Sequence, residues 1–564
     1  MLTGARRGSE LLALAAFSSA RRGARMHMAG AQPHADVVVV GGGAAGLFAS
    51  IAAARAGASV LCLESGSQPL RKVRISGGGR CNVMHDPSTW APADAKQLLA
   101  GRYPRGSQEL ISPLLAGFSP DETAAWFRAE GVALKREADG RVFPTTDDSA
   151  TVVRALLDAA ERAGVRLLTG AKVEAVAHVD GADAADAGGD GARARFALDV
   201  ARRGGASAER VLCGSLVLAT GSASHQLAAS LGHDVTGLLP SLFALRLAPG
   251  ALLDASLAGL SVADAELTFE PPPPDSAQPD APANGAAAVA VATRGKGARA
   301  RGGASARRVS SRGPLLVTHR GLSGPAALRL SAHAAVPLAA CGYRGDVVLN
   351  LCPALQPREV GAALVAFSRG EQRGKQVSTV SPFELPRRLW RVVVAGVPEG
   401  SSAPAPGDAV DPTARWDQLG GAELRALEGR LTRLRLPFSG KDSNKEEFVT
   451  CGGVRLDNVQ MRDMRSKKHG ALFFAGELLD IDGITGGHNF QSCWTTGFLA
   501  GRAAAEAARR AGAGGFDGDG GGGDKPRPGR GSAQRGGKGG GGGAALGGRL
   551  ARGRAGAAGE APPN

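Results

Sequence analysis

The sequence predicts an α/β protein carrying a Rossmann-like dinucleotide-binding domain of the two-dinucleotide type, beginning near Asp36. Three observations predict it. Residues 36–40 contain a bare run of valines with the length and flanks of a buried parallel strand. Gly41-Gly42-Gly43-Ala44-Ala45-Gly46 follows directly and opens an Ala-rich helix over 44–56. Residues 60–63 then supply a second apolar strand. Strand, turn, helix and strand within about 30 residues make one βαβ unit.

The glycines match GxGxxG, a weak pattern alone in a chain with 83 glycines, but this copy links a strand to a helix. Gly41 permits the tight turn, Gly43 lets a pyrophosphate approach the backbone, and Gly46 lets helix and strand pack closely, with Ala45 inside the fingerprint. The diphosphate would meet free N–H groups at the helix start. Glu64 ends the second strand, where a carboxylate accepts from ribose hydroxyls; the plainer reading is a solvated strand-end acid.

Further along, residues 120–131 and 150–163 read as amphipathic helices, with Ser119 and Ser149 placed as N-caps. Residues 165–168, 172–178, 195–200 and 216–218 read as strands, with a Gly/Ala/Asp insertion at 181–192. Residues 263–269 form another strand. The Pro/Ala/Gly/Arg stretch at about 271–313 is expected to be a loop, 397–413 a linker, and the tail from 511 a Gly-rich segment without a core.

Four more motifs carry chemistry. Ser76-Gly77-Gly78-Gly79-Arg80-Cys81-Asn82 offers an N–H nest for an anion, with Arg80 adding charge; the plainer reading is a loop with an incidental arginine. The strand 216–218 ends in Ala219-Thr220-Gly221, a place where such strands return to a bound dinucleotide. Residues 473–480 form a strand ending in Gly476-Glu477, and a glycine loop, Gly483 to Gln491 with Gly487, His488 and Asn489, leads into a helix over 491–508. Glu477 suits ribitol hydroxyls, and the helix N-terminus suits an anionic reduced flavin, a preference of roughly 0.3–2 kcal/mol. Finally, Ser323 as N-cap with Pro325 in the first turn starts a helix. Its N–H groups, with Thr318, His319 and Arg320, suit a conjugated carbonyl or carboxylate; the plainer reading leaves His319 fixing the turn and Arg320 solvated.

Composition bounds the rest. The chain has 564 residues, 32 prolines and only 4% aromatics, so part of it cannot bury a core. The charge of +15 lies in three low-complexity stretches. Residues 1–34 carry five Arg and one Glu, 291–313 seven Arg or Lys and no acid, and 511–564 eight Arg or Lys and four acids. With almost no aromatics to stack bases there, nucleic acid is not the expected partner. The seven cysteines show no CxxC and no zinc spacing, so no metal site is expected and a reducing compartment is the simplest reading. No run reaches the roughly 18 apolar residues of a membrane span. The Arg-, Ala- and Ser-rich residues 1–34 are expected to be an organellar (chloroplast or mitochondrial) transit peptide. The alternatives are a secretory signal, or an upstream extension with Met26 or Met28 as the start, leaving the protein cytoplasmic.

Together the motifs resemble the bile-acid-reductase-like (BaiN-type) flavoproteins, the aminoacetone-oxidase-type FAD-binding family, over most of residues 36–510. The most specific strings are ISGGGRCNV (75–83), GRVFP (140–144), GHDVTGLLPSL (232–242), THRGLSGPAAL (318–328), TCGGV (450–454) and GELLDIDGITGGHNFQ (476–491). The resemblance implies a split FAD-binding domain (35–245 and 448–510) and an inserted, mainly β domain (246–447) that covers the flavin. It gives FAD roles to Gly41, Gly43, Gly46, Glu64, Arg80, Cys81, Asn82, Gly476, Glu477, Gly487 and Asn489, and places Val173 by the adenine. Two departures stand out: His488 replaces the family's usual Tyr beside the expected flavin ring, and the loop after Gly221 is about ten residues shorter than the pattern.

The expected function is therefore redox catalysis at FAD, moving hydride between NAD(P)H, flavin and an activated C=C bond of a small organic substrate. His319, Arg320 and His488 are the candidate catalytic residues. No second dinucleotide fingerprint is found, so NAD(P)H would dock transiently. The alternatives are an FAD-dependent amine or hydroxy-acid oxidase, an RNA-associated flavoprotein, and a flavin-binding protein without turnover. The sequence assigns no oligomeric state.

Overall fold

The computed structural model of the protein describes residues 34–86, 88, 95–179, 194–204, 208–271, 308–396, 410–442 and 449–513. Residues 1–33 of the expected leader, the insertion at 181–192 and the part of the expected tail beyond 513 lie outside the described residues, as do 272–307 and 397–409, whereas His34 is in a strand and 511–513 are helical.

Strand β1 (His34–Val40) leads through the glycine turn into helix α1 (Ala44–Arg55) and strand β2 (Val60–Glu64). Helices α2 (Pro120–Ala129) and α3 (Ser149–Arg162) follow. Then come strands β3 (Arg166–Thr169), β4 (Ala171–His178), β5 (Phe196–Arg202) and β6 (Glu209–Leu218). A second set comprises β7 (Ala244–Leu247), β8 (Ser261–Phe269), β9 (Val309–Val317), β10 (Gly321–Ser323), helix α4 (Gly324–His333), β11 (Gly345–Asn350) and β12 (Leu434–Asp442). The chain returns through β13 (Leu472–Phe474) to the long helix α5 (Gly486–Ala513).

Strands β13, β6, β1, β2 and β3 lie side by side and run parallel. Val37, Val38 and Val39 are fully buried, as a strand covered on both faces requires. Each such side chain contributes about 1.5–3 kcal/mol on burial. Strand β6 is longer than the apolar triplet suggested because it serves three neighbours, β13, β1 and β5. Its first half pairs antiparallel with β5, and its second half lies parallel to β1.

Strands β7, β10, β9, β8, β11 and β12 close into a barrel in which every neighbouring pair is antiparallel. This separate barrel is inserted between β6 and β13, so the Rossmann-type sheet is split. It has its own core, including Leu267, Phe269, Val317, Trp390 and Trp416.

Several expectations are corrected. The stretch expected to be loop up to 313 becomes strand β9 from Val309, pairing with Phe269. Arg312, one of the basic residues assigned to that loop, is held 2.6 Å from Asp264 on β8. Val410, placed in the linker, is buried. Ser119 caps α2 in a capping box with Glu122, as its position predicted. The cap of α3 is Asp148, whose carboxylate accepts from Ala150 N at 2.8 Å. Ser149 instead ties α3 to the glycine loop: its hydroxyl donates to Arg74 O at 2.7 Å and its N–H to Gly79 O at 2.8 Å.

Helix α5 begins at Gly486, five residues before the expected start, so the second half of the glycine loop is its first turn. It presses directly on α1. A Cβ at Gly497 would stand 2.6 Å from Ala45 O, and one at Gly501 2.1 Å from Ala49 O. Only glycine lets the two backbones approach this closely.

Candidate functional site

The parallel strands end at a cleft of about 300 Å3. Its floor is the glycine turn, including Gly41, Gly43 and Ala45. The three fingerprint glycines divide their work. Gly41 has φ +108°, and a Cβ there would lie 2.4 Å from Ala219 O. A Cβ at Gly46 would lie 1.8 Å from Gly41 O, so this residue fixes helix against turn. Gly43 has nothing within 4 Å of a Cβ position, leaving its backbone open to a ligand.

Glu64 lines the same cleft, its carboxylate held by Gly42 N at 2.7 Å and Gly66 N at 2.6 Å. Val173, Thr220 and Gly221 complete the wall. The Thr220 hydroxyl is buried without a hydrogen-bond partner among the described residues. Where the family pattern has a longer loop, Gly221–Ala223 forms one tight turn and His225–Ser230 a short helix.

A larger cavity of about 780 Å3 adjoins this cleft, and Lys72, Glu477 and Phe490 line both. Its Rossmann side includes Gly77, Gly78, Asn82, His85 and Asn489; its barrel side includes Thr318, His319, Arg320 and Arg329. The cavity therefore lies between the two halves of the molecule. Gly476 has φ +70° and turns the chain after β13 so that Glu477 reaches the junction. Asn82 is bonded to the start of α5: its amide oxygen accepts from Gly487 N at 3.1 Å, and its amide nitrogen donates to Met84 O at 3.0 Å. A Cβ at Gly487 would lie 2.7 Å from that amide, which explains the glycine. Asn489 shapes the loop ahead of α5, accepting from Gly483 N at 2.9 Å and donating to Gly483 O and Thr485 O at 3.0 Å.

Thr318 builds the turn that presents His319. Its hydroxyl oxygen accepts from Gly321 N at 3.1 Å and Arg320 N at 3.3 Å. His319 is exposed at the cavity edge, while Arg320 is drawn to Asp442 at 3.0 Å. Ser323 occupies the N-cap position of α4 without a side-chain cap bond.

Three expected site residues are placed elsewhere. Arg80 lines neither space. It pairs with Glu137 at 2.5 Å and Asp147 at 2.6 Å and lies 4.0 Å over the Phe143 ring. Its charge is spent on these partners. The glycine loop also closes on itself, with Gly79 N and Cys81 N donating to Ser76 O, so those two N–H groups do not form an anion nest. Cys81 is fully buried, and burial pushes its thiol up to about 12, which keeps it protonated. His488 is also buried, behind the wall, stacked on His85 with centroids 4.7 Å apart. Tyr103 donates to its backbone oxygen at 2.8 Å. Burial and the neighbouring His85 and Arg102 hold His488 well below the ordinary histidine range, so its ring is neutral.

Sequence reasoning missed Lys72, His85, Phe490 and Arg329. Phe490 is signalled only by its place in the glycine-loop run; it stacks on Trp494 at 5.6 Å, whose indole N–H donates to Val83 O at 2.9 Å. Lys72 and Arg329 stand in helices with no pattern that marks a cavity residue.

FAD fits this arrangement. The open backbone at Gly43 and the orphaned Thr220 hydroxyl offer contacts for a diphosphate, Glu64 an acceptor for the adenosine ribose, and Glu477 an acceptor at the junction with the larger cavity.

Comparison with known proteins agrees. Residues 35–503 match the family profile described as HI0933-like protein Rossmann domain. The chain is 28% identical over 467 residues to the ribosomal RNA dihydrouridine synthase of Escherichia coli K12, covering 82% of this chain and 96% of that one. It is 27% identical over 490 residues to the 3-dehydro-bile acid delta(4,6)-reductase of Clostridium scindens, covering 83% and 98%. Among solved structures, the 3-ketosteroid-delta4-(5alpha)-dehydrogenase of Rhodococcus jostii RHA1 is similar at 14% identity and a TM-score of 0.42, covering 86% and 99%. The chain belongs to the HI0933-like Rossmann-domain family, whose members are FAD-binding oxidoreductases and include the bile-acid reductase its motifs resemble.

Proposed function

We propose that this protein reduces a C=C bond conjugated to a carbonyl, using FAD and electrons from NAD(P)H. One observation carries the reading: the large cavity opens at the end of the dinucleotide cleft, and the barrel closes its far side with His319 and Arg329. The names of the two relatives fit one chemistry. Making dihydrouridine adds two hydrogens across one conjugated C=C bond, and reducing a delta(4,6) unsaturation does the same at each C=C bond reduced.

Bound FAD, when reduced, supplies a hydride. The protein supplies the rest. Gly43 and Thr220 receive the diphosphate, Glu64 the adenosine ribose, and Glu477, set by Lys72, the chain near the cavity. Asn82 and Asn489 fix the start of α5, whose N–H ends favour negative charge beside them. Leu242, Phe243, Leu328 and Phe490 supply the apolar part of the cavity lining. His319, exposed at its edge, would pass a proton to the carbon next to the carbonyl. The full-length protein, loaded with FAD under anaerobic conditions, should bleach with NADH or NADPH. Bleaching with neither would exclude a nicotinamide donor, and rapid oxygen consumption with an amine or hydroxy acid would favour an oxidase.

A second reading makes a uracil in RNA the substrate, and the 28% identical relative named for ribosomal RNA favours it. It predicts that short uridine-containing RNA shifts on a native gel with the protein and gains dihydrouridine on incubation. Unshifted and unmodified RNA would restrict the substrate to small molecules.

A further inference from the structure

The charged groups around the large cavity sort into pairs with one exception. Arg141 is bound to Asp139 at 2.7 Å, Arg320 to Asp442 at 3.0 Å, and Lys72 is paired with Glu477. Arg329 has no ion pair among the described residues. Its Nε is buried without a hydrogen-bond partner among the described residues. Leu328 precedes it on α4, and Phe243 and Phe490 line the same space, so part of the surroundings of this half-buried side chain is apolar. Removing a guanidinium from water without a partner is costly, and a buried donor is expected to be satisfied. Burial lowers the pKa of Arg329 from its ordinary value, and Asp139 opposes that, close enough to be felt but not bonded. This cation lines the large cavity.

We propose that Arg329 donates hydrogen bonds to the carbonyl oxygen of the substrate and holds it as it becomes an enolate. This rests on the reduction proposed above. Hydride added to the β carbon shifts the C=C electron pair toward the carbonyl oxygen, which becomes anionic. A proton delivered to the α carbon then restores the carbonyl. The intermediate charge needs a fixed donor in a dry place, and such donors act most strongly where they are preorganised. Arg320, the arginine singled out by the sequence, is already neutralised by Asp442. The ligand class is therefore a compound bearing an oxygen conjugated to the reducible bond, with an apolar body.

Phenolates mimic an enolate in shape and charge. The FAD-loaded protein is titrated with 4-chlorophenol across the phenol pKa, and with 4-chloroanisole, which cannot ionise, following flavin absorbance at long wavelength. The wild type should bind the phenolate, with a new long-wavelength band, and should bind the anisole far more weakly. Arg329→Gln should raise the phenolate Kd at least about tenfold, the loss of a charge-assisted hydrogen bond, at unchanged flavin content and melting temperature. Arg329→Lys should recover part of the loss. A wild type that does not distinguish the two compounds, or an R329Q protein with wild-type Kd, overturns the proposal. Should R329Q not fold, R329K decides alone: its Kd must rise, and an unchanged Kd for this shortened donor overturns the proposal. The outcomes separate from those of the parent reading. Enone reduction by the wild type with phenolate binding insensitive to Arg329 sinks this inference alone. Absence of enone reduction sinks the parent reading, while phenolate binding still reports on Arg329.

Discussion

Lys72 and Glu477 pair across 405 residues of sequence, where the dinucleotide cleft and the large cavity meet. Lys72 comes from the short helix before the triple-glycine loop, and Glu477 from the turn after β13. The pair joins the two sequence halves of the split domain. Lys72 is half exposed, so the pair adds at most about 1 kcal/mol to stability. Its value lies in placing the carboxylate. Glu477→Gln should lower FAD affinity about tenfold or more, one charged hydrogen bond being worth about 1.5–3 kcal/mol, with little change in melting temperature. Glu64→Ala should weaken FAD by about ten- to a hundredfold for the same reason. Fluorescence titration of the apoprotein measures both, and unchanged affinity in either variant would remove that residue from the cofactor site.

The fingerprint glycines should separate folding from binding. A methyl group at Gly46 would strike Gly41 O, so Gly46→Ala should destabilise the apoprotein strongly. Gly43 has open space instead, so Gly43→Ala should melt like the wild type yet bind FAD poorly. Equal melting losses in the two variants would contradict the assigned roles.

The two histidines singled out from sequence should behave differently. His319→Ala should leave FAD content intact and slow the substrate half-reaction about tenfold, equivalent to about 1.4 kcal/mol. His488 packs between His85 and Tyr103, so His488→Ala should instead lower stability. Stopped flow and thermal melts distinguish them. Wild-type rates in both half-reactions for His319→Ala would move the proton donor elsewhere.

Acid should weaken the fold through buried imidazoles. Burial pulls His233 down to about 4 from 6.5, its Nδ1 facing Ala228 O at 3.3 Å and its Nε2 Ser466 Oγ at 2.7 Å. Burial lowers His85 and His488 as well. Below about pH 6.5 the unfolded chain takes up protons that the folded one refuses, so stability is full above that pH and falls as pH drops toward 4. The melting temperature should decline between about pH 6.5 and 5, and His233→Gln should flatten that slope. A flat wild-type profile would contradict the buried neutral assignment.

The first βαβ unit was legible because its pattern is local: valine strand, glycine turn, alanine helix and acid follow one another within Asp36–Glu64. The barrel is different. Strands β7 and β10 have four and three residues, too few for a period to show, and β9 emerges from an Arg/Gly stretch only because Phe269 and the residues before it pair with it. Arg80 was misplaced because the acids that claim it, Glu137 and Asp147, lie 57 and 67 residues away. His488 reads as facing the flavin because it stands where the family pattern usually has Tyr, next to Asn489. Successive residues on a helix point about 100° apart, and α5 has already begun there, so the two face different ways. Arg329 was passed over because an arginine in an Ala/Leu-rich helix reads as solvated, and only the barrel's closure against the Rossmann half turns it inward.

The central claim is that FAD in this protein reduces a conjugated C=C bond in the cavity between sheet and barrel. The most direct measurement mixes the reduced, FAD-loaded protein anaerobically with a conjugated enone, and separately with the matching saturated ketone, following flavin absorbance by stopped flow and the product by mass. The account predicts that the enone alone restores the oxidised flavin spectrum and gains two hydrogens, and that Arg329→Gln slows this step. A flavin that stays reduced with every enone and with uridine-containing RNA, yet reoxidises at once with oxygen, would contradict it.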